Sequence, residues 1–416
     1  MATLRRVSGF AGLFLAIALP AIANAAPQCR GEDGYAADFG GRRTVFLRPD
    51  ALSRIKADRI RDPVLAKTYA VVIADADAAL QHASYSVMDK ARVPPSGDKH
   101  DYMSIGPYWW PDPAKSDGLP YIRRDGETNP ERLNDVYDNA RMGRFSHDVS
   151  VLALAYYYGG DERYARKAAE LLRAWFLDPA TRMNPNLDFA QGVPGVSNGR
   201  PTGIIDTTSL LPVVEAIGLL APSPALTAAD RKGLEAWFGD YVTWLVDSEG
   251  GKGEDAAENN HGIWYDAQLS RFALFARKPD VARKVVEAFA RRRIDLEFAA
   301  DGTLPLEIAR TRSLHYSIYA LQAAYDVASV ADCLGTDLWN YVNPKGGGLK
   351  LATLYLAGFS GHVKDWPYPD LKPGEDELND LLARARIEWP QARLPAGSVP
   401  GLVPDDYLPQ VVKISP

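Results

Sequence analysis

Two cysteines, Cys29 and Cys333, are all that this chain of 416 residues contains. That is too few for a disulfide-dense scaffold or a cysteine-based zinc site. The six histidines, His82, His100, His147, His261, His315 and His362, are scattered, and no HExxH occurs. A P-loop and a GxGxxG opening a helix are also missing, so the common signatures for zinc proteases, nucleoside triphosphates and dinucleotides are absent. Positive charge is short: 47 Lys and Arg against 53 Asp and Glu leave a net charge of −6. A nucleic-acid binder carries a basic field, and none is present here. Past the N-terminus no run of 18 or more apolar residues occurs, so no lasting membrane span is expected. Strand-like alternation is scarce.

What remains is the composition of a globular protein, 46% hydrophobic and 24% charged. Nine Trp and 20 Tyr stand out. Their flat apolar faces and polar tips suit carbohydrate clefts, though they also fill cores. The first residues combine Arg5 and Arg6, an apolar run from Phe10 to Leu19, and Ala23-Asn24-Ala25. These are the three parts of a secretory leader cut after Ala25. The expected compartment is therefore outside the cytoplasm, a bacterial periplasm, where Cys29 and Cys333 either pair or remain free thiols. Domain organisation reads as leader 1–25, one catalytic body 26–366, and a tail over 367–416 packed on the same body. That tail holds 9 of the 30 prolines.

Helical periodicity dominates the body. Asp62-Pro63 is an N-cap and N1 pair opening a helix to about Met88. Residues 89–145 lack periodicity and read as one long loop, a length that usually marks function. Ser146 to Pro179 reads as two helices around a Gly159-Gly160 turn, an αα-hairpin. A second loop covers 184–200. Further helices are predicted at about 204–220, 228–247, 261–277, 279–298, 312–334 and 349–357, with a capping-box pattern at Thr227 and Asp230. Recurring antiparallel helix pairs predict an all-α (α/α) toroid, an incomplete barrel whose long loops form a cleft.

Four segments carry candidate chemistry. In Glu258-Asn259-Asn260-His261-Gly262-Ile263-Trp264, Asn260 reads as an N-cap and His261 sits in the first helical turn. The helix-terminal field there favours a neutral imidazole, as a base requires, while a capped and packed pair is the plainer reading. In the stretch from Leu306 to Tyr319, Arg312, Tyr316 and Tyr319 share a helix face at i, i+4 and i+7. A tyrosine beside arginine serves as a proton shuttle because nearby cations lower its pKa. The alternative is an arginine stacked on two packing rings. The stretch Lys99 to Pro113 places Tyr102, Tyr108, Trp109 and Trp110 together, and Arg123 and Arg124 follow; such residues stack sugars and bind carboxylates. Arg141 and His147 lie at the next helix start.

At these segments the chain resembles the alginate lyase superfamily of polysaccharide lyases, over roughly residues 60 to 360. NNHGIW and, about 50 residues later, LPLEIARTRSLHYSIYAL are similar to the Asn-Asn-His and Arg-to-Tyr motifs of family 5. KHDYMSIGPYWWPDP and LPYIRRDGETNPE resemble family 38, which includes alginate and glucuronan lyases. The resemblance implies that Asn260 and Arg310 contact the uronate carboxylate. It also implies that His261 helps neutralise it or acts as base, and that Tyr316 transfers the proton. One residue fewer separates Arg from Tyr than in family 5, which leaves Arg312 as an alternative to Arg310. The family 5 lid lysine has no matching motif, and Lys99 is the candidate taken for it.

The implied reaction is β-elimination on a 4-linked uronate polymer, polymannuronate or glucuronan, without metal or cofactor. The remaining substrate-binding candidates are Tyr319, His100, Tyr102, Trp109, Trp110, Arg123, Arg124, Arg141 and His147. The expected partner is an anionic uronate polysaccharide or oligosaccharide. Two other classes stay open: a glycoside hydrolase on the same toroid, with Asp101, Asp206 and Glu307 as available carboxylates, and a non-catalytic glycan-binding protein.

Overall fold

A computed structural model of the protein describes residues 27–395. The leader at 1–25 and the end of the tail, 396–416, lie outside the described residues. Fourteen helices are found among the described residues: α1 (Pro49–Asp58), α2 (Pro63–Ala79), α3 (Asn139–Gly159), α4 (Glu162–Leu172), α5 (Leu211–Leu220), α6 (Ala228–Asp247), α7 (Glu249–Asp255), α8 (Asn260–Phe275), α9 (Pro279–Phe289), α10 (Asp295–Glu297), α11 (Pro305–Ile308), α12 (Ser313–Cys333), α13 (Leu349–Ala357) and α14 (Glu375–Glu388). With them are eight 3-10 or π segments and four short strands: β1 (Met103–Ile105), β2 (Trp109–Trp110), β3 (Ile122–Arg123) and β4 (Phe189–Gly192).

Local chemistry sets the helix ends. The Asp62 carboxylate accepts from the Val64 and Leu65 amides and opens α2. Thr227 and Asp230 form the expected capping box on α6. Gly160 ends α3 in the left-handed conformation (φ 78°), where a Cβ is penalised, and lets α4 fold back.

Burial sorts the helices into layers. Every residue of α5 is buried, and every residue of α8 except His261. A helix apolar on all sides belongs inside a fold. By contrast α4 and α9 bury one face each, through Ala165, Ala168 and Leu172, and through Ala282, Val286 and Phe289. Packing runs from α2 to α3, from α3 to α4 and α5, and from α8 to α6, α9 and α12. This is the (α/α) toroid of antiparallel hairpins. The stretch Pro201–Leu220 has the length and hydropathy of a membrane span, which the count of unbroken apolar runs missed. It is a 3-10 segment followed by α5, and it is buried among the other helices.

Four other expectations need correction. The helix opened at Asp62-Pro63 ends at Ala79, nine residues short of Met88. α3 starts at Asn139, seven residues before Ser146, so Arg141 and His147 are helical. The tail is less irregular than its prolines suggest, because it contains α14, which buries Leu378, Leu381, Leu382 and Ala385. Arg384 on α14 pairs with buried Asp326 at 2.6 Å. The long loop is organised by two strand pairs, β1 parallel to β4 and β2 antiparallel to β3. Cys29 and Cys333 form a disulfide that ties the N-terminal segment to the end of α12.

Candidate active site

Two helix starts face each other at one end of the toroid. α8 is capped by Asn259, one residue before the position expected: its side chain accepts from the His261 amide at 3.2 Å. Asn260 is therefore the first helical residue. It is fully buried, and it meets Glu307 twice, through its backbone N–H (2.6 Å) and its Nδ2 (2.8 Å). Glu307 lies on α11, three residues before Arg310. This two-point bond ties the turn bearing His261 to the turn bearing Arg310. Asn260 thus works behind the cleft, because a fully buried amide already held by a carboxylate has no surface for a substrate in this conformation.

His261 keeps 21% of its side chain exposed, and its Nδ1 lies 2.6 Å from Oε1 of Glu254, which is 1% exposed. With Nδ1–H donated to that carboxylate, Nε2 is left for a substrate, and the bond sets the tautomer. Glu254 sits on α7, and sequence spacing did not reveal it because the helix breaks between the two residues.

Tyr316 lies in the first turn of α12. The N-terminus of that helix is capped from the tail, where Asp370 accepts from the Leu314 amide at 2.8 Å, and just before the tail Trp366 Nε1 donates to the Ser313 hydroxyl at 2.7 Å. The Tyr316 hydroxyl is 2.6 Å from that of Tyr108, and the Arg310 guanidinium lies over the ring at 3.9 Å. Burial, then the Tyr108 hydroxyl, push the Tyr316 phenol above the ordinary tyrosine range, and the opposing pull of Arg310 does not overcome them. The sequence expectation of a lowered pKa counted the cation and left out desolvation.

The aromatic loop builds the wall of this site. β2 and β3 form a ribbon fixed by Asn129, which donates from Nδ2 to the Trp109 carbonyl (2.8 Å) and from its backbone to Pro107 (2.7 Å). The ribbon delivers Tyr108 to Tyr316, then Asp125 to Arg310 at 3.2 Å. Burial alone would raise the Asp125 pKa; hydrogen bonds from Arg123 and Thr311 and the Arg310 charge outweigh it and hold the carboxylate below its usual range. Arg124 lies 5.1 Å over the Trp110 ring and Arg200 5.7 Å over Trp109.

Other sequence candidates stand elsewhere. Tyr102 is fully buried, with its hydroxyl on Asp206 at 3.0 Å, so it has no face for a sugar. Arg141 is buried on the Tyr137 carbonyl and Asp138. His100 commits Nδ1 to the Arg182 carbonyl at 2.6 Å, and the neighbouring Lys99 carbonyl accepts from Lys90. His147 is half-buried on α3. Tyr319 packs between Trp264 and His315. Arg312 is the N-cap residue just before α12, and its Nε is buried with no hydrogen-bond partner among the described residues.

The carboxylates available to a hydrolase are all engaged. Asp101 accepts from Ser96, Asn184 and Asn186. Asp206 accepts from Tyr102, Ser104, Arg132 and Gln191, and Glu307 holds Asn260.

Behind Glu307 lies Glu297. Burial, together with the nearby Glu307 charge and against the pull of Arg293, pushes Glu297 up to about 9. Between its ordinary value of about 4.5 and that point, the folded state holds a proton that the unfolded chain releases. Stability therefore falls as pH rises through this window. Glu297→Gln is expected to melt above the wild type at pH ~8, with the gap closing toward pH ~4.5. Melting curves at the two pH values check this, and equal gaps at both would contradict it.

Comparisons with known proteins show a family through one family model and one solved structure, and the fold through others. The family model described as alginate lyase matches residues 86–366. The crystal structure of an alginate lyase from Bacteroides ovatus is 38% identical, with a TM-score of 0.82, covering 88% of this chain and 100% of that one. Alginate lyase A1-III from Sphingomonas species A1 is 18% identical, with a TM-score of 0.53, covering 82% of this chain and 88% of that one. A variant of A1-III complexed with a tetrasaccharide is 16% identical, with a TM-score of 0.54, covering 82% of this chain and 87% of that one. These last two share the fold. No curated protein sequence matches.

Proposed function

Because this chain belongs to the alginate lyase family, we propose that it cleaves a 4-linked uronate polymer by β-elimination where Tyr316, Tyr108, Arg310 and His261 meet. The observation carrying this reading is the Tyr316–Tyr108 hydroxyl pair at 2.6 Å beneath the Arg310 guanidinium. The C5 proton of a uronate is weakly acidic until its carboxylate is neutralised. Arg310 supplies a fixed cation for that charge, and His261 a second donor when protonated, in a site largely closed to water.

Tyr316, in the phenolate form left when its own proton has gone to solvent, then takes the C5 proton. The C5–H electrons form the C4=C5 double bond, the C4–O4 bond breaks, and the departing O4 receives a proton from the same tyrosine. Tyr108 shares the proton that remains between the two phenols. Asn260 and Glu307 act at one remove, by fixing the His261 turn against the Arg310 turn. Arg310 rather than Arg312 is assigned to the carboxylate, because its guanidinium lies on the Tyr316 ring. These donors need no metal.

One tyrosine serves as both base and acid only where H5 and O4 lie on the same side of the sugar. Mannuronate and glucuronate, which differ at C2, both meet this condition. Guluronate, inverted at C5, does not. The reading is therefore polymannuronate or glucuronan. We also place the enzyme outside the cytoplasm, which the leader-like N-terminus and the Cys29–Cys333 bond support.

The test is the product. Elimination leaves a 4,5-unsaturated uronate at the new non-reducing end, 18 mass units lighter than a hydrolytic product by the loss of one water, as β-elimination chemistry requires. A product carrying the added water would overturn the proposal. Substrate attraction depends on a local positive wall on an acidic protein, so KM is expected to rise several-fold between roughly 50 and 500 mM salt. Initial rates across that range check this, and a flat KM would contradict it.

A further inference from the structure

The arginines around the aromatic ribbon are not partnered alike. Arg132 has Asp206 at 2.7 Å, Arg123 has Asp125 at 2.6 Å, and Arg310 shares that same Asp125. Arg200 has no carboxylate within ion-pair distance among the described residues. It is held by two neutral oxygens of one residue: Nε donates to the Gln191 carbonyl at 2.8 Å and Nη2 to Gln191 Oε1 at 3.2 Å. Neutral acceptors fix its direction and leave it without a direct ion pair, while the charges of Asp206 and Glu254 act on it from beyond contact distance.

The support behind Gln191 is built for orientation. Gln191 is 4% exposed and adopts φ 47°, a left-handed conformation costly for a residue other than glycine. Its Nε2 donates to Asp206 Oδ1 at 2.8 Å, which turns Oε1 toward Arg200. Its backbone N–H donates to Ser104 Oγ at 2.8 Å. Asp206 is in turn fixed by Tyr102, Ser104 and Arg132. Trp109 backs the guanidinium, and Gly106 lets the two approach: a Cβ there would lie 2.5 Å from the Trp109 ring and 2.7 Å from Arg200 Nη2.

The position is next to the catalytic groups. Trp109 follows Tyr108 in the chain, and Pro201, which follows Arg200, packs against Gly253, which precedes Glu254. Arg200 thus stands between the ribbon and the helix that holds His261 through Glu254.

We propose that Arg200, backed by Trp109 and aimed by Gln191 and Asp206, binds the carboxylate of a second uronate residue, next to the one being cleaved. Its identification of the ligand as a uronate rests on the elimination reading. A single uronate engages only Arg310; a chain engages both cations.

The experiment compares wild type with Arg200→Gln on polymannuronate and glucuronan. The expected result is a KM raised about 10- to 100-fold, the loss of one charge-assisted hydrogen-bonding contact, with kcat changed less than about twofold. The salt dependence of KM becomes shallower. A fall in kcat at unchanged KM and unchanged salt dependence would overturn the subsite and leave Arg200 a structural group.

If Arg200→Gln does not fold, phenylglyoxal modification of the full chain decides. A mannuronate or glucuronate tetramer bound to Tyr316→Phe protects Arg200 in the peptide map; unprotected modification at Arg200 rejects the proposal. If the wild type yields no unsaturated product from any uronate polymer, the elimination reading has failed instead. Calorimetric binding of the polymers to wild type and Arg200→Gln then still tests the subsite: weaker binding by the variant supports it, and equal binding overturns it.

Discussion

Tyr316→Phe is expected to lower kcat by roughly a thousandfold or more while leaving the protein folded. Proton transfer by a positioned side chain contributes about 10²- to 10⁴-fold, and in the proposed mechanism one phenolic oxygen both accepts the C5 proton and returns one to O4. The substitution removes a single oxygen. The ring stays buried under Arg310, and the fold loses only the hydrogen bond to Tyr108, about 1 kcal/mol. A circular-dichroism melt close to wild type together with lost turnover supports the assignment, whereas near-normal turnover rejects Tyr316 as the proton carrier.

The pH profile should carry the same signature. Burial and the Tyr108 hydroxyl hold the Tyr316 phenol above its ordinary range in the free enzyme. The reactive phenolate is then the minor form at neutral pH, and its fraction grows with pH. kcat/KM is therefore expected to climb between pH ~6 and ~9 without levelling off, since it reports ionisations of the free enzyme. A plateau near neutrality would point to a different base.

His261→Ala is expected to reduce kcat by about 10²- to 10³-fold, the scale seen when one donor to a developing anion is lost. Its partner gives a graded control. Glu254→Gln keeps a hydrogen-bonding group beside Nδ1 but loosens the contact that orients the ring, so a smaller loss of about tenfold is expected, as for residues that orient a functional histidine. The two variants together should lose little more than His261→Ala alone, because Glu254 acts through the histidine. Wild-type rates in His261→Ala would return His261 to a packing role, and losses that multiply would separate Glu254 from it.

The helices were legible where the local signals agreed. α6 was read from its capping box and α3–α4 from the Gly159-Gly160 turn, because those ends are settled by neighbours in sequence. The cap of α8 slipped by one residue because Asn259 and Asn260 both suit an N-cap, and the choice is made by Glu307, 47 positions from Asn260. α14 was hidden by the prolines around it, although Leu378, Leu381, Leu382 and Ala385 keep helical spacing at i, i+3, i+4 and i+7. The role of the tail was also hidden: Asp370 caps α12, the helix that carries Tyr316.

The candidate site divides the same way. Tyr316, His261 and Arg310 could be named from their motifs. Their partners could not: Tyr108 reaches Tyr316 across 208 positions, and Asp125 reaches Arg310 across 185. Tyr102 and Trp109 look alike in the sequence of the aromatic loop. Only the fold separates them, sending one into the core against Asp206 and leaving the other half-buried on the ribbon. Arg141 has the composition of a substrate-binding residue, but early entry into α3 turns it onto Asp138. A pattern of residue types identifies chemistry; burial decides which of those residues can meet a substrate.

The most direct test is near-ultraviolet absorbance of the purified protein incubated with polymannuronate, polyguluronate, glucuronan, hyaluronan and heparosan. The expected result is a rise with polymannuronate or glucuronan and little with polyguluronate, with the rise lost in Tyr316→Phe. Reducing ends released from these polymers with no rise in absorbance would contradict elimination and make the enzyme a hydrolase.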